Sequence, residues 1–186
     1  RLPPILSAFH KAHPGITIEL ETGPSRALIA RVADHQLDAA FVGEPFDAPG
    51  LAVRPVFAEQ LVLVTGDGED MAGRGADLAS PTLLVFAQGC SYRRVAEGWL
   101  SAQGVTPGRI IELGSYHAII ACAAAGTGWG IVPVSVLDTV AASRHLRRHA
   151  LPRPLGDNRT HLIWRGTPSP RLKPFMDLLP ALEAHG

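Results

Sequence analysis

Two short glycine-led runs concentrate the groups that could hold a charged ligand. Gly89-Cys90-Ser91-Tyr92-Arg93 packs a thiol, a hydroxyl, a phenol and a guanidinium into five consecutive residues. Arg93 either offers its planar fork to a carboxylate or is a solvated arginine in a helix's first turn. Ser91 either caps that helix or binds ligand oxygens. Three readings of Cys90 stay open: a small buried apolar residue, a ligand contact, or a thiol made acidic by the helix start and the adjacent Arg93 and Arg94. Tyr92 closes a pocket or packs between lobes. The second run, Gly23-Pro24-Ser25, stands where an extended segment meets a helix. Free amides and the helix dipole at such a point favour an anion, and the same residues also serve as a turn with Ser25 as N-cap. Ser115 and His117 open a further helix, with Ser115 its expected N-cap, and Glu44 follows an apolar strand; all three are candidate ligand contacts, and Glu44 alternatively holds an interlobe contact.

Other residues carry weaker chemistry. His10 and His13, like His145 and His149, have helix-compatible ligand spacing but no Glu or Cys companion in a metal pattern, so exposed helix faces explain them and no metal is expected. Gly126-Thr127-Gly128-Trp129-Gly130 superficially resembles a nucleotide loop. A dinucleotide fingerprint follows a strand and opens a helix, whereas these glycines follow a helix and lead into a strand, which reads as a helix C-cap with a tight turn. Asn158-Arg159-Thr160 matches a glycosylation sequon, which carries little weight without an export signal. No nucleophile elbow, zinc-protease motif, P-loop or local Cys-His signature occurs, so neither an enzyme nor a cofactor is expected. Cys90 and Cys122 are too few for a disulfide framework, and Cys122 reads as buried and inert; a reducing, cytoplasmic setting fits.

These residues need elements to position them. Leu2, Ile5, Leu6, Phe9 and Ala12 recur at helical spacing until Pro14-Gly15. Alternation predicts a strand at Ile16–Leu20, followed by a helix carrying Leu28, Ile29 and Val32, and a buried strand at 38–43. Two strands are expected at 51–57 and 60–65, then a Gly- and Asp-rich connection over 66–80. The pattern restarts with a strand at 82–87, a helix at 91–103, a strand at 110–113, a helix at 115–125 and a strand at 129–132. A helix from about Pro133 runs to the basic residues Arg144, Arg147 and Arg148. A strand at 160–164 and a helix at 170–184 close the chain. This is α/β organisation, read as two Rossmann-like lobes with a ligand cleft between them: residues 1–65 and 138–186 form the first, and 66–137 the inserted second.

Composition narrows the class. With 46% hydrophobic and 18% charged residues the chain can bury a core. Its 17 basic residues are balanced by 17 acidic ones, which argues against phosphate neutralisation by its own surface. No apolar run reaches the roughly 20 residues that a membrane span requires.

Several ordered stretches resemble the effector-binding domain of LysR-type transcription regulators: Leu2-Pro3-Pro4-Ile5-Leu6 with Phe9 and His13-Pro14, Leu37-Asp38-Ala39-Ala40-Phe41, Glu59-Gln60-Leu61-Val62-Leu63-Val64, Gly89-Cys90-Ser91-Tyr92-Arg93, and Gly126 through Pro133. The resemblance implies a type 2 periplasmic-binding-protein fold, a small and anionic effector held between the lobes, and a homodimer or tetramer. DNA would be contacted through a helix-turn-helix absent from this sequence, as is the strand that precedes the Leu-Pro-Pro helix and lies centrally in the first sheet. The resemblance also places Thr127 and Gly128 beside the second lobe's binding edge. On this reading the amides of Gly23–Ser25 and Gly89–Ser91 clamp the effector and bias lobe geometry. A transporter's solute-binding protein shares this fold and is the alternative.

Overall fold

The structure, a computed structural model, describes residues 1–67 and 81–182. Contacts divide the chain into two compact units. Unit 1 comprises Arg1–Val42, Phe46–Ala58 and Arg159–Gly186; unit 2 comprises Gly43–Pro45 and Glu59–Asn158. The divisions expected at 65/66 and 137/138 thus fall at 58/59 and 158/159 by this measure, and Glu44 packs in unit 2. Most of the connection expected over 66–80 lies outside the described residues.

In unit 1, helix α1 (Leu2–Ala12) opens on prolines at its first positions and buries Phe9. Proline fits there because the first amides of a helix have no intrahelical partner. Helix α2 (Ser25–Ala33) follows, then strand β1 (Ala39–Gly43) and the first half of strand β2 (Leu51–Gly66). Much later come strand β7 (Asp157–Arg165), which lies between β1 and β2, and the short helix α6 (Leu172–Asp177). Val32, Ala40, Val42 and Ile163 form one apolar cluster, with Leu28 and Ile29 of α2 packed on it. Val56, Leu162 and Met176 form another, with Ile5 and Phe175 beside them.

Unit 2 begins with the second half of β2, which runs antiparallel to strand β5 (Trp129–Pro133) and to strand β6 (Leu146–Ala150). Strand β3 (Thr82–Val85) is parallel to β5 on one side and to strand β4 (Arg109–Glu112) on the other. Side chains alternate faces along these strands. Leu61, Leu63, Leu83, Val85 and Ile131 join Val95, Ala96 and Leu100 of helix α3 (Ser91–Ala102). Their neighbours Val62, Val64, Leu84 and Val132 join Ile119, Ile120 and Ala123 of helix α4 (Tyr116–Ala124). Helix α5 (Val134–Leu137) is a single turn after β5.

Several expectations are corrected. No ladder forms over Ile16–Leu20 among the described residues, and Ile18 and Leu20 stay exposed at 39% and 60%. Alternation supplies a face but not a partner, and that segment is tethered instead by Glu21, whose carboxylate accepts two hydrogen bonds from Arg31. The Arg31 guanidinium holds the Glu21 carboxyl below its usual range. The two strands expected at 51–57 and 60–65 are one. The helix expected from Pro133 to the arginines is a single turn, then a 3-10 turn at Ala141–His145, then β6. His149 therefore lies on a strand, its Nε2 3.0 Å from Thr65 Oγ1, rather than on an exposed helix face. The closing helix is shorter than 170–184, ending before Pro180. Ser25 is the first helical residue of α2, with Pro24 at the N-cap position and no side-chain cap.

The glycine run at 126–130 has a packing explanation. Gly126 takes φ +75°, its amide bonds to Ala123 O at 2.9 Å, and Thr127 N bonds to Cys122 O at 2.9 Å, the paired bonds of a Schellman cap. A methyl group on Gly128 would lie 2.2 Å from Thr82 O, and one on Gly130 would lie 2.6 Å from Ile119 Cγ2. Since Thr82 O is backbone, it cannot swing aside. Gly128→Ala should cost about 3 kcal/mol or more, as severe overpacking does, and lower the melting midpoint by roughly 6–12 °C for a chain of this size. A thermal melt showing an unchanged midpoint would contradict the close approach.

Candidate functional site

Parallel pairing of β3 with β4 and β5 sends the carboxyl ends of all three strands to one edge of unit 2. In such sheets ligands bind outside those ends. After β3 the chain turns through Gly89, at φ +89°, and enters α3 with Cys90 at the N-cap position. After β4 it reaches Ser115 and α4, and after β5 it reaches Ser135.

Ser91 and Tyr92 are buried at the start of α3, and the Cys90 side chain makes no capping bond to it. The thiols of Cys90 and Cys122 are both free; Cys90 packs, half-buried, against the α3-side core. The amides of this first turn retain their preference for an anion. Arg93 is committed elsewhere. Its Nε donates to Glu97 at 2.7 Å, and its Nη1 donates to Glu112 at 3.0 Å and to the Phe86 carbonyl at 3.3 Å. The hydrogen bond with Glu97 leads in holding the guanidinium above its ordinary range, against the opposing effect of burial. Only 8% exposed, Arg93 is not the solvated surface residue weighed from sequence. It ties the first turn of α3 to β4 and to the end of β3.

Three aromatic residues flank this edge. The Tyr92 and Tyr116 rings lie 6.1 Å apart, and Phe86 meets Tyr116 edge-on at 4.8 Å. Burial, reinforced by its hydrogen-bonded contact with Tyr92, pushes the Tyr116 phenol far up, so it remains a neutral hydrogen-bonding group. Glu59 contributes a carboxylate that accepts a hydrogen bond from Ser135 Oγ at 2.8 Å.

Gly43 and Glu44 also belong to unit 2. The Asn158 Nδ2 donates to the Glu44 carbonyl at 2.7 Å. A methyl group on Gly43 would sit 2.9 Å from Ser91 Oγ, 3.3 Å from the Tyr92 ring and 3.5 Å from Asn158 Oδ1. Gly43 therefore lets the end of β1 approach the start of α3. The burial of Asn158, at 5% exposure, removes it from the surface that a glycosylation site requires.

The structure thus gathers Glu44, Cys90, Ser91 and Tyr92 around one edge, and Gly89 turns into it. It does not bring Thr127 and Gly128 there. They precede β5 and sit beside Thr82, at the amino end of β3, separated from Gly89–Ser91 by the length of that strand, roughly 10 Å. Ser115 is exposed and spends its Oγ on capping α4, accepting from Ala118 N at 3.2 Å, as its position predicts. His117 is exposed one residue beyond the buried-edge Tyr116. Gly23, Pro24 and Ser25 lie in unit 1, where Gly23 borders an apolar cavity of about 600 Å³ lined by Leu6, Phe9, Ile18 and Phe41 among others. Sequence reading missed Gly43, Tyr116, Ser135 and Asn158. For Ser135 the signal was available, because it follows the carboxyl end of a parallel strand; for Asn158 there was none. Among the described residues no three His, Cys, Asp or Glu side chains converge as a metal site.

Comparison with known proteins places this geometry in a family. The LysR substrate binding domain matches residues 1–183. The transcriptional regulator CzcR of Bacillus cereus is 36% identical over 164 residues, covering 88% of this chain and 56% of that protein. The uncharacterised regulator YusT of Bacillus subtilis (strain 168) is 34% identical over 179 residues, covering 95% of this chain and 60% of that protein. Among solved structures, the regulatory domain of CcmR from Synechocystis PCC6803, in complex with 2-PG, superposes with TM-score 0.80 at 22% identity, covering 95% of this chain and 88% of that one. The effector-binding domain of BenM with its effector benzoate gives TM-score 0.72 at 20% identity, covering 100% and 93%. The chain belongs to the LysR substrate-binding domain family, with the type 2 periplasmic-binding-protein-like fold. It spans a little over half the length of the regulators it matches.

Arg93→Met should cost about 1–2 kcal/mol, reduced from a fully buried ion pair because Glu97 and Glu112 are half exposed. Chemical denaturation would measure it. A neutral result would mean that the guanidinium bonds do not position α3.

Proposed function

We propose that this chain is the effector-sensing part of a DNA-binding transcription regulator and that it takes a small anionic metabolite. The observation that carries this reading is the start of α3: an uncapped helix N-terminus with buried Ser91, at the carboxyl edge of a parallel sheet, in a chain whose family is that of regulators. The amides of Gly89 and Ser91 would bind the anion, with the Ser91 hydroxyl as a further donor, while the Cys90 amide is spent on the Ala87 carbonyl at 3.2 Å. Tyr92 and Tyr116 would wall the site, and Glu44 would border it. The same proposal gives Gly23, Pro24 and Ser25 a share in holding the ligand. Arg93 is assigned a supporting part rather than a ligand contact, and Thr127, Gly128, Ser115 and His117 are assigned local structural parts.

The proposed output follows by linkage. A ligand that favours one arrangement of the regulator shifts its population, and coupling of about 1–3 kcal/mol changes promoter occupancy several-fold. DNA contact, assembly as a homodimer or tetramer, and action in the cytoplasm all belong to this proposal, as does binding without catalysis. Two observations support it: the relatives named above are regulators, and no helix among the described residues is long and apolar enough to cross a membrane.

A thermal-shift screen of small carboxylic and inorganic acids tests the proposal. An acid at a hundred times its Kd should add about 2.7 kcal/mol to the folded state. Ser91→Ala should weaken that acid by roughly tenfold or more, the effect of losing one hydrogen bond to a charged group. If no acid raises the midpoint, or if a bound acid ignores Ser91→Ala, the anion site is not at the start of α3.

A further inference from the structure

We propose that Asn158 is a specificity-determining ligand residue, whose Oδ1 accepts a hydrogen bond from a hydroxyl group of the bound anion, so that the site selects hydroxy acids over their parent acids. The inference rests on the anion site proposed above and adds the chemistry that distinguishes one anion from another.

Three observations carry it. First, the Asn158 amide has only one sensible orientation. Its Nδ2 donates to the Glu44 carbonyl at 2.7 Å, and a carbonyl can only accept, so the amide nitrogen must face Glu44 and Oδ1 must face away. Second, that Oδ1 is buried and has no hydrogen-bond partner, in a residue only 5% exposed. Buried acceptors are almost always paired, and this is the atom to which the proposal assigns a donor on the ligand. Third, the orphan oxygen shares its surroundings with the start of α3. The position a Gly43 methyl would occupy lies 3.5 Å from Asn158 Oδ1 and 2.9 Å from Ser91 Oγ. The helix beginning there runs twelve residues and has no side-chain cap.

Amides and acceptor together therefore ask for two different groups on one molecule. The α3 amides want an anion, which can only accept; Asn158 Oδ1 wants a donor, which a carboxylate cannot be. A carboxylate bearing a hydroxyl satisfies both. The parent acid leaves Oδ1 unpaired, and sites built around a buried polar partner reject the analogue that lacks it. Glu59 is another acceptor in this neighbourhood, where it takes the Ser135 hydroxyl, and substitution of Asn158 separates the two acceptors.

Calorimetry on the purified protein with matched acids tests the idea: propanoate against lactate, succinate against malate, and benzoate against its three hydroxybenzoates. At least one hydroxy acid should bind roughly tenfold or more tightly than its parent, as expected where a buried partner would otherwise stay unpaired. Asn158→Ala should shrink that preference, read as the ratio of the two affinities, to about twofold or less, since the tenfold ratio corresponds to about 1.4 kcal/mol. Because the substitution also removes the donor to Glu44, the methyl ether of the preferred hydroxy acid gives a second readout on the unaltered protein; it keeps the oxygen but cannot donate, and should fall to the parent's level. Acids that bind with no hydroxyl preference, or a preference that survives both Asn158→Ala and methylation, would overturn the role of Asn158 while leaving the anion site standing. If no acid of either kind binds, the anion site and the role of Asn158 fall together.

Discussion

The constraint from which the candidate site follows is the parallel register of β3 with β4 and β5. Parallel strands cannot be joined by tight hairpins, so a helix must carry the chain back each time, and every strand ends at the same edge. That single geometric fact gathers Ser91, Tyr116 and Ser135, from the starts of three separate helices, at one edge of unit 2. It also removes Thr127 and Gly128, which sit at the starting end of β5. Alternation along the same strands assigns one face to α3 and the other to α4, which holds the two helix starts in place without contributions from the ligand edge.

Polar interactions then refine what the ladder sets coarsely. Arg93 reaches a carboxylate on its own helix, one on β4 and the carbonyl of Phe86, so the first turn of α3 is anchored to two strands. Gly43 lets β1 end against Ser91 and Tyr92, and Asn158 fastens the next residue by its carbonyl. None of these residues needs to touch a ligand to matter, because a helix start that wanders by an ångström no longer presents its amides in register.

Much of this was legible in the sequence. Apolar periodicity located α1, α2, α3 and α4, and the order of glycines relative to helix and strand separated a C-cap from a nucleotide loop. Misreadings have physical causes. Ile16–Leu20 carries a strand's alternation but has no ladder among the described residues, and local pattern says nothing about partners. Residues 138–149 mix apolar and basic side chains at spacings that suit a helix, yet pairing of β6 with β2 prevails, a tertiary choice outweighing local preference. Arg93 beside a candidate binding loop looked available from its neighbours in sequence; its carboxylate partners arrive from residues 97 and 112. Asn158 was invisible as a ligand residue because its significance lies in an unpaired atom, which only coordinates reveal.

The neutralisation of Arg93 has a consequence for how the edge attracts its ligand. With the guanidinium matched by two carboxylates, Arg93 itself adds little net positive charge there, and the oriented amides pull on an anion with a field that fades within a helical turn. Long-range steering needs unpaired charge that ions in solution can screen. What the amides contribute works by contact, so that part of the grip should depend little on ionic strength and would act on the metabolite after it arrives.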